Sequence, residues 1–200
     1  MAYYGLSKPM IAKYDVVTGK YSNGFQCGHA VGTNVDPQYN EAELHGDDQM
    51  QESAKEFKYA DVTLETTHMP IQAAEVMFGH KVDKEINKVT FNVNDNANYV
   101  GYGFFVREKV DGVVKYVAAI LPKTLFAEAG ENYSTKGSNL EFKTASVSGR
   151  SLALENGVWK VKQTFDDEAG AVEFIKEYLN ITDSPADESN PGSGETGKNS

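Results

Sequence analysis

The sequence predicts a mainly β chain with two helices. Two dipeptides, Asp111-Gly112 and Asn156-Gly157, each separate two strand-like runs. Such pairs accept positive φ at both central positions, as a two-residue type I′ hairpin turn requires. Residues 56–67 alternate, with Ala60, Val62 and Leu64 on one face and Asp61, Thr63 and Glu65 on the other. That period marks a half-buried strand with a polar outer face. Only residues 70–78 and 166–179 read as helices.

Taken in order, strands are expected at residues 11–17 and 25–32, both rich in apolar and aromatic side chains. Residues 34–55 between strands are polar and read as a long loop; such loops are usually functional or disordered. After the strand at 56–67, Pro70 suits a first helical turn and Gly79 a stop. A strand follows at 88–93, then the run Asn92, Asn94, Asp95, Asn96 and Asn98, which lacks the carboxylates, central glycine and closing acid of a calcium loop and reads as a polar turn before the strand at 99–107. A type I′ turn at Asp111-Gly112 sets Val110 opposite Val113, Glu108 opposite Lys115, Arg107 opposite Tyr116 and Val106 opposite Val117, pairs that are chemically compatible. A strand is expected at 140–147, and the same turn at Asn156-Gly157 sets Leu154 opposite Trp159 and Leu152 opposite Val161. The second helix opens on Asp166, Asp167 and Glu168, which complement the positive helix end. Its Ala171, Phe174, Ile175 and Tyr178 form one docking face. Residues 1–181 are expected to form one domain; residues 182–200 carry −3 of the net charge without a large apolar side chain, and are expected to be a disordered acidic tail, with a linker to a further domain as the alternative.

Composition narrows the function. The formal charge of −10 and a pI near 4.9 leave no basic footprint for gripping DNA or an anionic bilayer. The longest apolar run, residues 116–121, is far short of a bilayer span of roughly 20 residues. The first 20 residues hold no signal-like apolar stretch. A single cysteine excludes a disulfide framework and a multi-cysteine zinc site. Together these lead one to expect a soluble acidic protein, made and kept in a reducing cytoplasm unless released by lysis.

No phosphate loop, GxGxxG, GxSxG or HExxH pattern is present. Cys27 and His29 stand two apart on an expected strand and so share a face, the start of a thiol–imidazole pair or metal site that lacks further ligands. The plain alternative is a small buried thiol beside a polar strand residue. His45, His68 and His80 are scattered, and Asp47-Asp48 reads as a solvated loop tip. The aromatics at 99–116 lack the basic groove of a base-stacking platform and read as packing. No catalytic, cofactor or metal site is expected.

The N-terminal segment Tyr4-Gly5-Leu6-Ser7-Lys8-Pro9, followed by Ile11-Ala12-Lys13-Tyr14, resembles the opening of phage major tail proteins. These build the tail tube of long non-contractile-tailed phages (siphophages) of Gram-positive hosts. The likeness continues in YSNGFQCGHAVG from Tyr21, in Asn40-Glu41-Ala42, in EFK and ADVTL from Glu56, and in IQAAEVMFGH from Ile71. It runs on through Ala97-Asn98-Tyr99-Val100-Gly101, Val110-Asp111-Gly112-Val113, Trp159-Lys160-Val161-Lys162 and Thr164-Phe165-Asp166.

The resemblance implies a β-sandwich or barrel-like tail tube fold with a flanking mid-chain helix and a C-terminal helix. It implies a virion subunit, assembled in the host bacterial cytoplasm, that stacks as homo-hexameric rings around a channel for DNA ejection. Its partners would be further copies of itself, a tape-measure protein, tail-tip or baseplate proteins and a tail terminator. DNA would pass without specific binding, and no membrane or cofactor would be involved. In that setting residues 34–55, with Asn34, Asp36, Tyr39, Glu41, Leu44, Asp47 and Asp48, are the candidate inter-subunit loop, ordered only in the polymer. The acidic face of the adjoining strand, Asp61, Thr63 and Glu65, is the candidate channel lining, since an acidic wall repels duplex and lets it slide. The bland counterparts are a mobile surface loop and an ordinary solvated strand face. Competing readings are a tail terminator or adaptor ring, a monomeric surface- or carbohydrate-binding β-sandwich, and an enzyme using Cys27 and His29.

Overall fold

The computed structural model describes residues 2–46, 49–128, 130 and 144–182. In chain order these form β1 (Ala2–Tyr14), β2 (Tyr21–Gln26), β3 (Ala30–Gly46), β4 (Gln49–Thr66), α1 (Ile71–Val76), β5 (Lys81–Asp83), β6 (Lys88–Thr90), β7 (Tyr99–Val110), β8 (Val113–Ala127), β9 (Ala145–Leu152), β10 (Val161–Phe165) and α2 (Glu168–Tyr178). The protein is mainly β, as expected. One antiparallel sheet runs β2-β1-β7-β8-β9-β4-β3; β10 also pairs with β8, and β5 and β6 form a separate ribbon.

The sheet closes over itself into a sandwich. Tyr102 of β7 is fully buried, and its hydroxyl donates to Thr33 Oγ1 of β3 at 3.0 Å, although three strands separate β7 from β3 in the sheet order. Between the layers lie Ile11, Phe25, Val62, Leu64, Tyr102, Leu121 and Phe126, with Ala73, Val76 and Met77 of α1 packed against them. A second core lies on the outer side of β1, β7 and β8, where Met10, Ala12, Phe105, Ala118 and Ile120 meet Ala171, Ile175 and Leu179 of the α2 end. β7 and β8 are thus buried on both faces, which is why residues 116–121 read as a continuous apolar run. Gly103 lets the helix approach: a Cβ there would lie 2.5 Å from Ile175 Cγ2.

The turn at Asp111-Gly112 has positive φ at both residues (49° and 85°), and all four expected pairs across it are present. The second hairpin differs. Only Gly157 has positive φ (81°), Gly157 N–H donates to the Leu154 carbonyl at 2.9 Å, and Leu154 N–H donates to Val158 O at 2.9 Å. This is a three-residue loop closed by a left-handed glycine, so Leu154 meets Val158 and not Trp159. Leu152 does not face Val161 either. β9 already lies between β8 and β4, and β10 pairs instead with the free edge of β8, Val161 opposite Ile120.

Other boundaries move for local reasons. The expected strand at 25–32 is split by Gly28 (φ 60°) into the end of β2 and the start of β3. β1 begins earlier than residue 11, β6 stops at Thr90, and β9 starts at Ala145; residues 140–143 of the expected 140–147 strand lie outside the described residues, as does the tail from 183. α1 follows Pro70 and is ended by Gly79 (φ 74°). The α2 N-cap is Asp167, whose carboxylate accepts from Gly170 N–H at 2.7 Å.

Candidate assembly surface

The expected long loop at 34–55 is a paired hairpin. β3 and β4 run in register from Ala30 opposite Thr66 out to Gly46 opposite Gln49. The loop expectation failed because residues 34–55 are polar and show no period-2 alternation of apolar side chains, the signal by which a half-buried strand is read.

β4 pairs with β9 only from Ala60, opposite Ser151, to Thr66, opposite Ala145. Beyond Ala60 the two strands pair with each other alone among the described residues, forming a two-stranded arm. From residue 38 to 46 it reaches roughly 30 Å at the usual strand rise. A bulge marks its root: Gln38 faces Tyr59 and Tyr39 faces Phe57, leaving Lys58 as an extra residue on β4. A bulge bends its strand and re-aims the residues beyond it. The root also carries an aromatic group. Phe57 stacks on Trp159 with ring centroids 4.7 Å apart and an interplanar angle of 16°, and Tyr39 meets Phe57 edge-on at 6.0 Å. Lys55 Nζ lies 2.7 Å from Glu41 Oε1 and 4.7 Å over the Tyr39 ring. The hydrogen bond from Lys55 holds the Glu41 carboxyl below its ordinary range.

The predicted inter-subunit residues therefore fall into two groups. Asn34 and Asp36 belong to the body, opposite Thr63 and Asp61; Tyr39 and Glu41 belong to the arm, and Leu44 stands opposite Glu52 near its end. Asp47 and Asp48 lie outside the described residues.

Asp61, Thr63 and Glu65 lie on the outer face of β4, opposite to the buried Ala60, Val62 and Leu64. Register sets Asp36, Asp61 and Arg150 in one row across β3, β4 and β9. Two carboxylates directly opposite repel. Arg150 Nε, 3.4 Å from Asp61 Oδ1, offsets part of this, and the Arg150 guanidinium also lies 4.4 Å over the Tyr59 ring. Glu65 accepts a hydrogen bond from Thr144. With Asp36, Asp61 and Glu65 against Arg150, the face stays acidic, but less so than β4 alone indicates.

The Cys27–His29 pairing does not form. Gly28 turns the chain, so Cys27 is fully buried, with its thiol donating to Met69 Sδ at 3.3 Å, while His29 is exposed. Burial pushes the thiol up to about 12, so it is not a thiolate nucleophile near neutrality.

Sequence reading missed one cluster. His80 is buried, its Nδ1 lies 2.8 Å from Asp95 Oδ2 and its Nε2 lies 3.4 Å from Glu128 Oε1. Its ring lies 4.4 Å from that of Phe91, beside a cleft of about 660 Å³. Asp95 belongs to the amide-rich turn, where it also accepts from Asn92 N–H at 2.8 Å. The Nδ1 bond ties His80 to this turn, while Nε2 is buried without a hydrogen-bond partner among the described residues, near the Glu128 carboxylate just past β8. Fifteen residues separate His80 from Asp95, and no sequence motif joins them to Glu128. Among the described residues no group of His, Cys, Asp and Glu could hold a metal ion, and no helix is long and apolar enough to cross a membrane.

No family model and no curated protein matches the chain. Among solved structures it is similar to the tube-terminating cap of the anti-feeding prophage, with a TM-score of 0.44 and 10% identity over 82% of this chain and 94% of that one.

Proposed function

We propose that this chain is a structural subunit of a phage tail tube, a homopolymer of stacked rings that encloses a channel for DNA. The observation that carries the reading is the arm. An isolated two-stranded ribbon is marginally stable at best in water, yet β3 and β4 extend well past their last contact with β9. Such an element is accounted for by a partner that covers it, and in a homopolymer the partner is another copy. Among the described residues β2 and β3 are the two ends of the main sheet, edges on which sheets can continue between subunits. The resemblance of the sequence to siphophage major tail proteins supports the same reading and is the source of the sixfold ring.

In this assembly the outer face of β3, β4 and β9 is the channel wall. Duplex DNA carries about one negative charge per 1.7 Å, and the surplus of carboxylates at Asp36, Asp61 and Glu65 keeps it from adhering. The protein acts by shape and charge and has no catalytic step. A ring that ends a tube is the second reading, and it differs in stopping at one layer.

The direct test shortens the arm. Because Asn34 and Asp36 pair inside the body, the variant replaces residues 40–55 with a two-residue turn and leaves the strand pairs below it intact. It is expected to stay folded and to form no tubes under conditions in which the full chain does. Tubes of normal length from the shortened chain would overturn the role given to the arm.

A further inference from the structure

Side chains at the root join the arm to the body: Arg150 lies over the Tyr59 ring, and Phe57 stacks on Trp159. Past Ala60 its backbone pairs with no body strand among the described residues, and the body ring against it is that of Trp159, stacked on Phe57 at 4.7 Å. Trp159 is well placed to anchor. It follows the closed loop at residues 154–158, precedes β10, and packs against the inner core. Phe57 is the last arm residue before the Lys58 bulge, the point at which the ribbon bends away from the sheet. The stack therefore spans the bend. Because the two rings cover one another's faces, they do not form an open platform for a sugar or a base. Their geometry suits an internal clasp.

We propose that Trp159 is a positioning residue for assembly: its stack on Phe57 fixes the direction in which the arm leaves the body. Without it the paired arm persists but swings about the bulge, and a subunit presents its arm to the neighbour at the wrong angle. The link to assembly rests on the tube reading above; the clasp itself does not.

The experiment uses the full chain with Trp159→Ala and Trp159→Phe, read by hydrogen exchange and by tube growth. In Trp159→Ala, amides at 38–41 and 54–59 are expected to exchange at least tenfold faster than in the parent, while β7 and β8 amides keep their rates. Trp159→Phe keeps a ring and should stay within about threefold of the parent, by the modest worth of one aromatic pair. Tubes should nucleate at least tenfold more slowly from Trp159→Ala and near normally from Trp159→Phe. Unchanged arm exchange in Trp159→Ala would overturn the clasp. Equal acceleration in β7 and β8 would also overturn it, because Trp159 would then serve only the core. A loosened arm with normal tube growth would overturn the positioning role. If the parent chain makes no tubes, that result counts against the tube reading, and exchange still decides the clasp.

Discussion

The bond that closes the sandwich gives a sharp prediction. Tyr102 is fully buried, and its hydroxyl donates to Thr33 Oγ1 at 3.0 Å; the Thr33 hydroxyl in turn donates to the Thr63 carbonyl at 2.9 Å. Burial pushes the Tyr102 phenol well above its usual range, so it stays a neutral donor. Tyr102→Phe removes one bond and leaves Thr33 its other partner, at a cost of about 1 kcal/mol. Thr33→Val is nearly isosteric but removes the Thr63 bond and strands the phenol without an acceptor. The stranded group costs about 1–3 kcal/mol on its own, so the total is about 3 kcal/mol. In the double variant no hydroxyl is stranded, and the cost falls to about 2 kcal/mol. The double variant should therefore be more stable than Thr33→Val alone. At about 2–4 °C per kcal/mol for a chain of this size, urea denaturation followed by Trp159 fluorescence, with thermal melting beside it, can separate the three. A double variant no more stable than Thr33→Val would refute the claim that this phenol is sealed inside the closed sheet.

Two further predictions concern the helix contact and acid. Gly103→Val places a side chain where Ile175 Cγ2 already sits 2.5 Å from the added Cβ; it should cost about 1–3 kcal/mol and loosen α2, seen as a lower melting temperature and faster exchange in residues 168–178. The hydrogen bond from His80, then that from the Asn92 amide, holds the Asp95 carboxyl below its ordinary value. A depressed folded pKa stabilises the fold above the unfolded value, near 4, and that contribution is lost as pH falls through the lower folded value. Asp95→Asn should thus be less stable than the parent at pH 7 and show a shallower loss of stability below about pH 4; identical acid profiles would contradict the assignment.

Features were legible in advance where the information that sets them is local. The Asp111-Gly112 register was legible because a type I′ turn dictates it and the flanking pairs agree. Residues 60–65 were legible because one face is buried and the other is not. At Asn156-Gly157 the same kind of dipeptide closed a three-residue loop, and β10 left for β8 because both edges of β9 were occupied, a tertiary fact that no dipeptide encodes. The arm was legible as unusual and polar but not as paired strands, since it lacks the alternation of apolar residues that marks a half-buried strand. The row Asp36–Asp61–Arg150 depends on register across three strands, so only the acidic half of it was visible in β4. His80, Asp95 and Glu128 meet through folding alone.

The central claim is that copies of this chain polymerise into a tube through the arm. Electron microscopy of the concentrated protein, alone and with a tail-tip complex added as initiator, tests it most directly. The account predicts tubes one ring wide, with the arm lying against a neighbouring subunit and Asp36, Asp61 and Glu65 facing the central channel. Rings that never stack would move the chain to the end of a tube. Monomers that persist with the initiator present, or a tube that carries those carboxylates on its outer surface, would contradict the account.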